Sequence, residues 1–205
     1  VQLISATTAA LDDAIKILTA GGIVAHATET CYGFACDLTN PQAVKRLFAL
    51  KKRPTDQPVS VLFSSVEEAK KFVEWNEEAE KLASKYLPGP LTIILPARKD
   101  APDFYTVLAY HLPLTSYRSM GIRISSHSLA RELAKRFGKP LSTTSANLHG
   151  QKNTYSVAEI SGQFSGQDIQ PDMILDSGVL PPTPPSTVID LTVPGSCLVL
   201  RKGLV

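Results

Sequence analysis

The chain has 205 residues, 43% of them hydrophobic, and a formal net charge of +2. That much apolar material can bury a substantial core, and so slight a basic excess argues for neither a nucleic-acid nor a membrane partner. No stretch approaches the roughly 18 apolar residues of a membrane span, and no charged segment followed by an apolar one marks a signal peptide. With Val1 first, an initiator residue or a short leader is expected to be missing. Cys31, Cys36 and Cys197 form an odd set without a CxxC and without histidines at zinc-finger spacing. Free, mostly buried thiols in a reducing cytoplasm are the expectation. There is no internal repeat or low-complexity tract, and one compact domain is expected.

Leu11, Ala14, Ile15 and Leu18 recur on one helical face before Gly21-Gly22, predicting a helix over residues 8–20. Residues 23–27 and 32–36 read as buried strands. Thr28, Glu29 and Thr30 lie between them, as an ordinary polar turn or as a site of the kind that open α/β sheets place at strand ends. Asn40-Pro41 opens a helix with a capping side chain and a proline in the first helical position. Ala43, Val44, Leu47 and Phe48 carry that helix to residue 50.

The next stretch, Lys51-Lys52-Arg53-Pro54-Thr55-Asp56-Gln57-Pro58, packs three cations against two prolines. Pro54 biases Arg53 away from helical dihedrals, so the helix is expected to stop there. Two readings fit: a fixed anion clamp made of an arginine fork and a lysine point charge, or a solvated helix end favoured by the macrodipole.

Residues 59–63 read as a strand, Ser65 with Glu68 as a capping box, and Asn76 as the cap of a helix whose Ala79, Leu82, Ala83 and Tyr86 face inward. Trp75 is expected to pack between these two helices. Pro88-Gly89-Pro90 ends the second one before a central strand at 91–95. From 98 to 120 the pattern loosens into a long excursion of the type that forms lids or binding loops. A strand at 121–124 carries Arg123. The helix at 129–137, closed by Gly138, puts Arg131, Lys135 and Arg136 on a solvated face.

Pro140-Leu141 enters Ser142-Thr143-Thr144-Ser145-Ala146-Asn147-Leu148-His149-Gly150, where a strand is expected to run out into a loop. Its crowded hydroxyls and amide suit a phosphate cradle, or equally an ST-turn or helix cap. Neither a Walker A nor a dinucleotide glycine pattern occurs. Beyond it lie a capping box at Ser156 and Glu159, an apolar run at 173–175, a proline-rich loop at 181–186, and closing strands at 188–191 and 197–200. Arg201-Lys202 follows directly. His26, His111, His127 and His149 have no metal-ligand spacing; His26 at a strand end and His149 in the hydroxyl stretch are the two to watch. No Ser/His/Asp arrangement and no carboxylate pair stands out for acid/base work.

Taken in order, Thr28-Glu29-Thr30-Cys31-Tyr32-Gly33, Lys51-x-Arg53 with Pro54 and Pro58, Pro88-Gly89-Pro90-Leu91-Thr92, Ser145-x-Asn147, Ser186-Thr187 before Val188-Ile189-Asp190, and Leu200-Arg201 resemble the YrdC/Sua5 family across nearly the whole chain. The resemblance implies an α/β (α+β) fold, a three-layer mixed twisted β-sheet flanked by helices, YrdC/RibB-like, with a concave basic cleft. It implies one domain over 1–205. Because the chain ends just past Arg201, the extra C-terminal domain of the longer Sua5 type is expected to be absent.

The implied activity is threonylcarbamoyl-adenylate synthesis from ATP, L-threonine and bicarbonate, supplying proteins that complete the t6A base of tRNA. Magnesium is implied mainly through the ATP phosphates, with no metal ligands from the chain. Lys51, Arg53, Ser145 and Asn147 carry the defining motifs. With Gln57, Ser119, Asn153 and Arg201 they are implied to contact the nucleotide. Thr30, Arg123, Thr143 and Ser186 are implied to hold threonine, Arg123 through its carboxylate. Fixed donors suit charge building up on phosphate oxygens.

Three sites depart from the family pattern: Ser125 replaces a usual proline, His26-Ala27 an aromatic-proline pair, and Leu62 a histidine that longer members use for threonine. Two other readings share these features: a carbamoyl-adenylate-forming domain, and a binder of tRNA or double-stranded RNA, whose phosphate contacts would give a steep salt dependence.

Overall fold

In the computed structural model, residues 1–55, 57–101 and 119–205 are described. Most of the excursion expected over 98–120, including His111, lies outside them. The described chain runs β1 (Gln2–Ser5), α1 (Ala10–Thr19), β2 (Val24–Ala27), β3 (Tyr32–Ala35), α2 (Pro41–Lys51), β4 (Ser60–Leu62), α3 (Val66–Lys70), α4 (Glu77–Tyr86), β5 (Leu91–Pro96), β6 (Ser119–Arg123), α5 (Ser128–Phe137), β7 (Leu141–Ser145), α6 (Val157–Phe164), β8 (Met173–Asp176), β9 (Thr187–Asp190) and β10 (Leu198–Arg201). The strands form one mixed ten-stranded sheet in the order β1-β8-β2-β3-β7-β4-β6-β5-β9-β10. None of the helices is long and apolar enough to cross a membrane, among the described residues.

Capping places most helix starts where the residues predict them. Asn40 accepts from the backbone of Gln42 and Ala43, Ser65 from Glu68, Asn76 from Ala79, and Ser156 from Glu159. Each such cap satisfies helix donors that would otherwise be unpaired and contributes about 1 kcal/mol. Trp75 packs against the core between α3 and α4, and its indole donates to Glu80 at 2.7 Å.

Successive side chains on a strand point to opposite faces, and the two faces of this sheet are covered unequally. One face buries Ala25, Phe34, Val61, Ile93, Ile122 and Ile189 with the inward sides of α2, α4 and α6. On the other face Val24, Ala35, Leu62, Leu141 and Met173 pack under Leu11, Ala14 and Leu18 of α1 and Ala130, Leu133 and Ala134 of α5. Each fully buried leucine there contributes about 1.5–3 kcal/mol. Among the described residues, these two helices leave the rest of their face, over β6, β5 and β9, uncovered. The uncovered positions are Gly121, Thr92 and Val188, which alternate with core residues and lie in a cleft.

Four local features differ from the sequence expectation. Helix α2 stops at Lys51 because Lys52 adopts a left-handed conformation with φ of 49°; the stop precedes Arg53 and does not need Pro54. The hydroxyl run is strand through Ser145, since β7 pairs with β3 on one side and β4 on the other. Strand β6 starts at Ser119, paired with Pro96 of β5, so Ser119 and Met120 belong to the sheet. Arg201 is the last residue of β10 and lies within the strand.

Candidate active site

The cleft gathers nine of the twelve predicted site residues: Arg53, Ser119, Ser145, Asn153 and Arg201, with Thr30, Arg123, Thr143 and Ser186. Lys51, Gln57 and Asn147 do not line it, and each is hydrogen-bonded to a residue that does. The alternation of β7 explains part of this. Thr143 and Ser145 line the cleft, while Ser142 turns into the core and donates its hydroxyl to the carbonyl of Phe34 at 3.4 Å while accepting from the Cys36 amide at 2.9 Å.

Arg53 is fixed by donating Nε to the Gln57 carbonyl and Nη2 to the Pro58 carbonyl, both at 3.0 Å. Gln57 therefore contributes its backbone to the site. Among the described residues, the remaining guanidinium donors are unspent. Burial, then the charge of Arg201, lowers the pKa of Arg53; a guanidinium stays protonated regardless, so these costs make an incoming anion welcome.

Arg201 donates to the carbonyl and the hydroxyl of Ser186, both at 2.9 Å, and Ser186 Oγ lies 3.1 Å from Thr92 Oγ1. Gly203 packs against this wall so closely that a Cβ there would meet the Pro185 carbonyl oxygen at 2.1 Å.

Lys51 is turned inward and only 1% exposed. Its ammonium donates to the carbonyls of Ser145 and Asn147 and to Asn147 Oδ1, and it lies 5.8 Å from the centre of the Phe34 ring. An ammonium has three donors, and here all are taken by the Ser145–Asn147 segment. Burial, with the neighbouring Arg53, pushes the Lys51 ammonium down to about 7. In this arrangement Lys51 ties α2 to the end of β7.

Arg123 is 4% exposed. Its guanidinium donates to Glu29 and to the carbonyls of Gly89 and Leu91. Glu29 also accepts from the Ser125 hydroxyl and the Ser126 amide. The Thr28–Thr30 segment is thus both a polar turn and part of the site. Thr28 Oγ1 donates to the Cys31 carbonyl at 2.7 Å and accepts from the Thr30 and Cys31 amides at 3.2 Å. Thr183 of the proline-rich loop donates to the Thr30 carbonyl at 2.7 Å. Glu29 was not predicted as a partner of Arg123, nor Ser125 as a partner of Glu29: Glu29 stands 94 residues away from Arg123, and no local period couples the two. Asp190, also missed, is the only carboxylate among the described lining residues; its place in the Val188-Ile189-Asp190 motif was its one sequence signal.

The three departures fall around this corner. Leu62, paired with Arg123, is buried in the second core cluster and does not line the cleft. Ser125 supplies a hydrogen bond that a proline could not. His26 is 1% exposed and pairs with Gly33, which lines the cleft. Its Nδ1 lies 3.1 Å from the Ala27 carbonyl, while Nε2 has no partner among the described residues. His149 is exposed.

Burial pushes the His26 imidazole down to about 4, outweighing the Ala27 hydrogen bond, with His127 adding in the same direction and Glu29 opposing. Between pH 6.5 and 4 the unfolded chain therefore binds a proton that the folded chain refuses, so stability falls as the pH drops through that window, by up to about 3 kcal/mol. His26→Phe is expected to flatten this part of the pH profile of the melting temperature. A profile as steep as that of the unaltered chain would remove His26 as its source.

Among the described residues, the cleft on the uncovered sheet face carries three arginines, a bank of hydroxyls and one carboxylate, a chemistry suited to an anionic, phosphate-bearing ligand. Comparison with known proteins names the family. A family model for Sua5, YciO and YrdC proteins, described as telomere recombination, matches residues 16–203. A threonylcarbamoyl-AMP synthase of Pseudoalteromonas translucida is 33% identical over 159 residues, spanning 75% of this chain and 80% of its own. Among solved structures, Pyrococcus abyssi Sua5 complexed with L-threonine superposes with a TM-score of 0.86 at 31% identity, over 99% of this chain and 58% of that one. Escherichia coli YciO superposes with a TM-score of 0.82 at 25% identity, over 99% and 95%. The chain belongs to the Sua5/YciO/YrdC family.

Proposed function

We propose that this chain is a threonylcarbamoyl-AMP synthase, a nucleotidyltransferase that makes threonylcarbamoyl-AMP and pyrophosphate from ATP, L-threonine and bicarbonate for the t6A modification of tRNA. The observation that carries this reading is the convergence of Arg53, Arg201 and Ser145 with Arg123, Thr30 and Ser186 in one cleft, in a chain about one-third identical to synthases of that name. We read residues 1–205 as one domain, supported by both core clusters drawing, among the described residues, on strands of the same sheet.

Threonine, N-carboxylated by bicarbonate, attacks the α-phosphorus of ATP through a carbamate oxygen, and the bond to the pyrophosphate oxygen breaks. Arg53 and Arg201, held by the Gln57, Pro58 and Ser186 oxygens, stabilise the charge that grows on the phosphate oxygens. Asn153 donates a neutral hydrogen bond to the same group, the Ser145 hydroxyl turns its one proton from Asn147 Oδ1 to a phosphate oxygen when the nucleotide binds, and Ser119 contacts the nucleotide further along β6. Asn147 acts with Lys51, setting the position of Ser145. Thr30, Thr143 and Ser186 hold threonine. Arg123 keeps donors beyond those given to Glu29, Gly89 and Leu91, and these take the threonine carboxylate.

Among the described residues no three His, Cys, Asp or Glu side chains converge on a metal position, and the cleft walls are cationic or neutral apart from Asp190. With this donor set, a magnesium ion would be held mainly by the ATP phosphates and would supply charge neutralisation to the pyrophosphate.

The test is pyrophosphate release from MgATP with and without threonine and bicarbonate, beside Arg53→Ala. Release needing both co-substrates, and falling about 10²- to 10³-fold in the variant, is expected. Release driven by carbamoyl phosphate would replace threonine carboxylation with carbamoyl-adenylate formation. Full release by Arg53→Ala would remove the clamp from the mechanism.

A further inference from the structure

We propose that Asp190 recognises the ribose of the bound nucleotide, accepting hydrogen bonds from its 2′- and 3′-hydroxyls. The assignment rests on the nucleotidyltransferase reading and adds a specificity residue to it.

Asp190 ends β9 on the uncovered sheet face. Its register partner is Ile94, which in turn pairs with Gly121. Arg123, Thr92, Val188 and Arg201 form the adjacent row, two residues along the strands, a spacing of about 6–7 Å. Asp190 Oδ1 accepts from the Thr192 amide at 2.8 Å, which sets the direction of the carboxylate. Among the described residues Asp190 makes no ion pair with the cleft arginines, and Oδ2 has no hydrogen-bond partner.

A carboxylate beside phosphate would repel it by the same Coulomb energy with which the arginines attract it. The part of the nucleotide reaching Asp190 must therefore be uncharged and rich in donors. The floor of this row fits such a group: it carries no cation, and at Gly121 no side chain rises, a Cβ there meeting Ser60 Oγ at 3.0 Å and Thr92 Cγ2 at 3.4 Å. The ribose is the first group past the α-phosphate, one row from the arginines. The adenine amino group lies a ring system further on. Two vicinal hydroxyls match the paired lone pairs of one carboxylate, as an acidic residue does for the ribose in dinucleotide folds.

The test is calorimetric titration of the full chain with the magnesium complexes of ATP, 2′-deoxy-ATP, 3′-deoxy-ATP and ITP, repeated for Asp190→Ala and Asp190→Asn. The unaltered chain is expected to bind ATP about 10- to 100-fold more tightly than either deoxy form, as for a hydrogen bond to a charged group. Asp190→Ala should lose that preference and leave the ratio of ATP to ITP affinity as it is in the unaltered chain. Asp190→Asn retains an acceptor for the Thr192 amide, so its partial preference would separate ligand contact from damage to the end of β9. Equal binding of ATP and the deoxy forms by the unaltered chain overturns the proposal without any variant. A preference that survives in Asp190→Ala also overturns it, and loss of ATP-over-ITP discrimination there moves the contact to the base. If the unaltered chain binds no nucleotide, it is the synthase reading that fails; if it binds ATP and releases pyrophosphate while ignoring the ribose hydroxyls, only the Asp190 assignment does.

Discussion

Glu29→Ala is expected to lower the unfolding free energy by about 3–5 kcal/mol, the usual cost of stranding one member of a buried ion pair. The side chains of Arg123 and Glu29 are 5% and 15% exposed, so water cannot replace the missing carboxylate. The Ser125 hydroxyl and Ser126 amide would lose their acceptor at the same time. Denaturant unfolding measures the effect. The double variant Glu29→Ala with Arg123→Met should be more stable than Glu29→Ala alone, because it removes the uncompensated charge. A double variant no better than the single one would mean that Glu29 acts through the Thr28–Cys31 turn and not through Arg123. Pyrophosphate release should fall in both, since Glu29 orients the guanidinium assigned to threonine.

Lys51→Met carries the second large effect. The methionine occupies similar volume beside Phe34, but the carbonyl of Asn147 loses its donor, while that of Ser145 keeps the Asn147 amide at 2.9 Å. One stranded oxygen costs about 1–3 kcal/mol; Asn147 Oδ1 keeps the Ser145 hydroxyl as a donor. Pyrophosphate release is expected to fall about 10²-fold or more, because a donor displaced by about 1 Å no longer meets the developing charge. Lys51→Arg should not rescue it: a planar fork cannot replace a compact ammonium among three converging oxygens. The signature of this tie is combined loss of stability and turnover. Unchanged stability with only a raised KM for ATP would instead make Lys51 a direct phosphate contact.

The cationic stretch at 51–53 left two readings open, and the fold divides it between them. Arg53 enters the cleft as a fork with fixed direction, Lys52 is the exposed helix end, and Lys51 points into the core. One left-handed residue at Lys52 separates these three fates, and the composition of the stretch does not reveal it. The hydroxyl run shows a similar division. Its residue types announced a polar site, yet Ser142 faces the core and Thr143 the cleft, which follows from strand pairing on both sides of β7.

By itself, the sequence determined the elements whose causes are local. Asn40, Ser65, Asn76 and Ser156 cap their helices through the next turn, and Leu11, Ala14 and Leu18 share a stripe because of the helical period. The ordered motifs also pointed to the family and to nine of the cleft-lining residues. Only the tertiary structure decided which sheet face the described helices leave uncovered, because alternation assigns a side chain to a face without saying what covers it. It also decided that Glu29 belongs to Arg123, that Lys51 braces Ser145 and Asn147, and that Asp190 stands one row from the arginines. Those are contacts between residues far apart in the chain, set by strand order and register, and a buried charge takes whichever partner the packing of the sheet brings within reach.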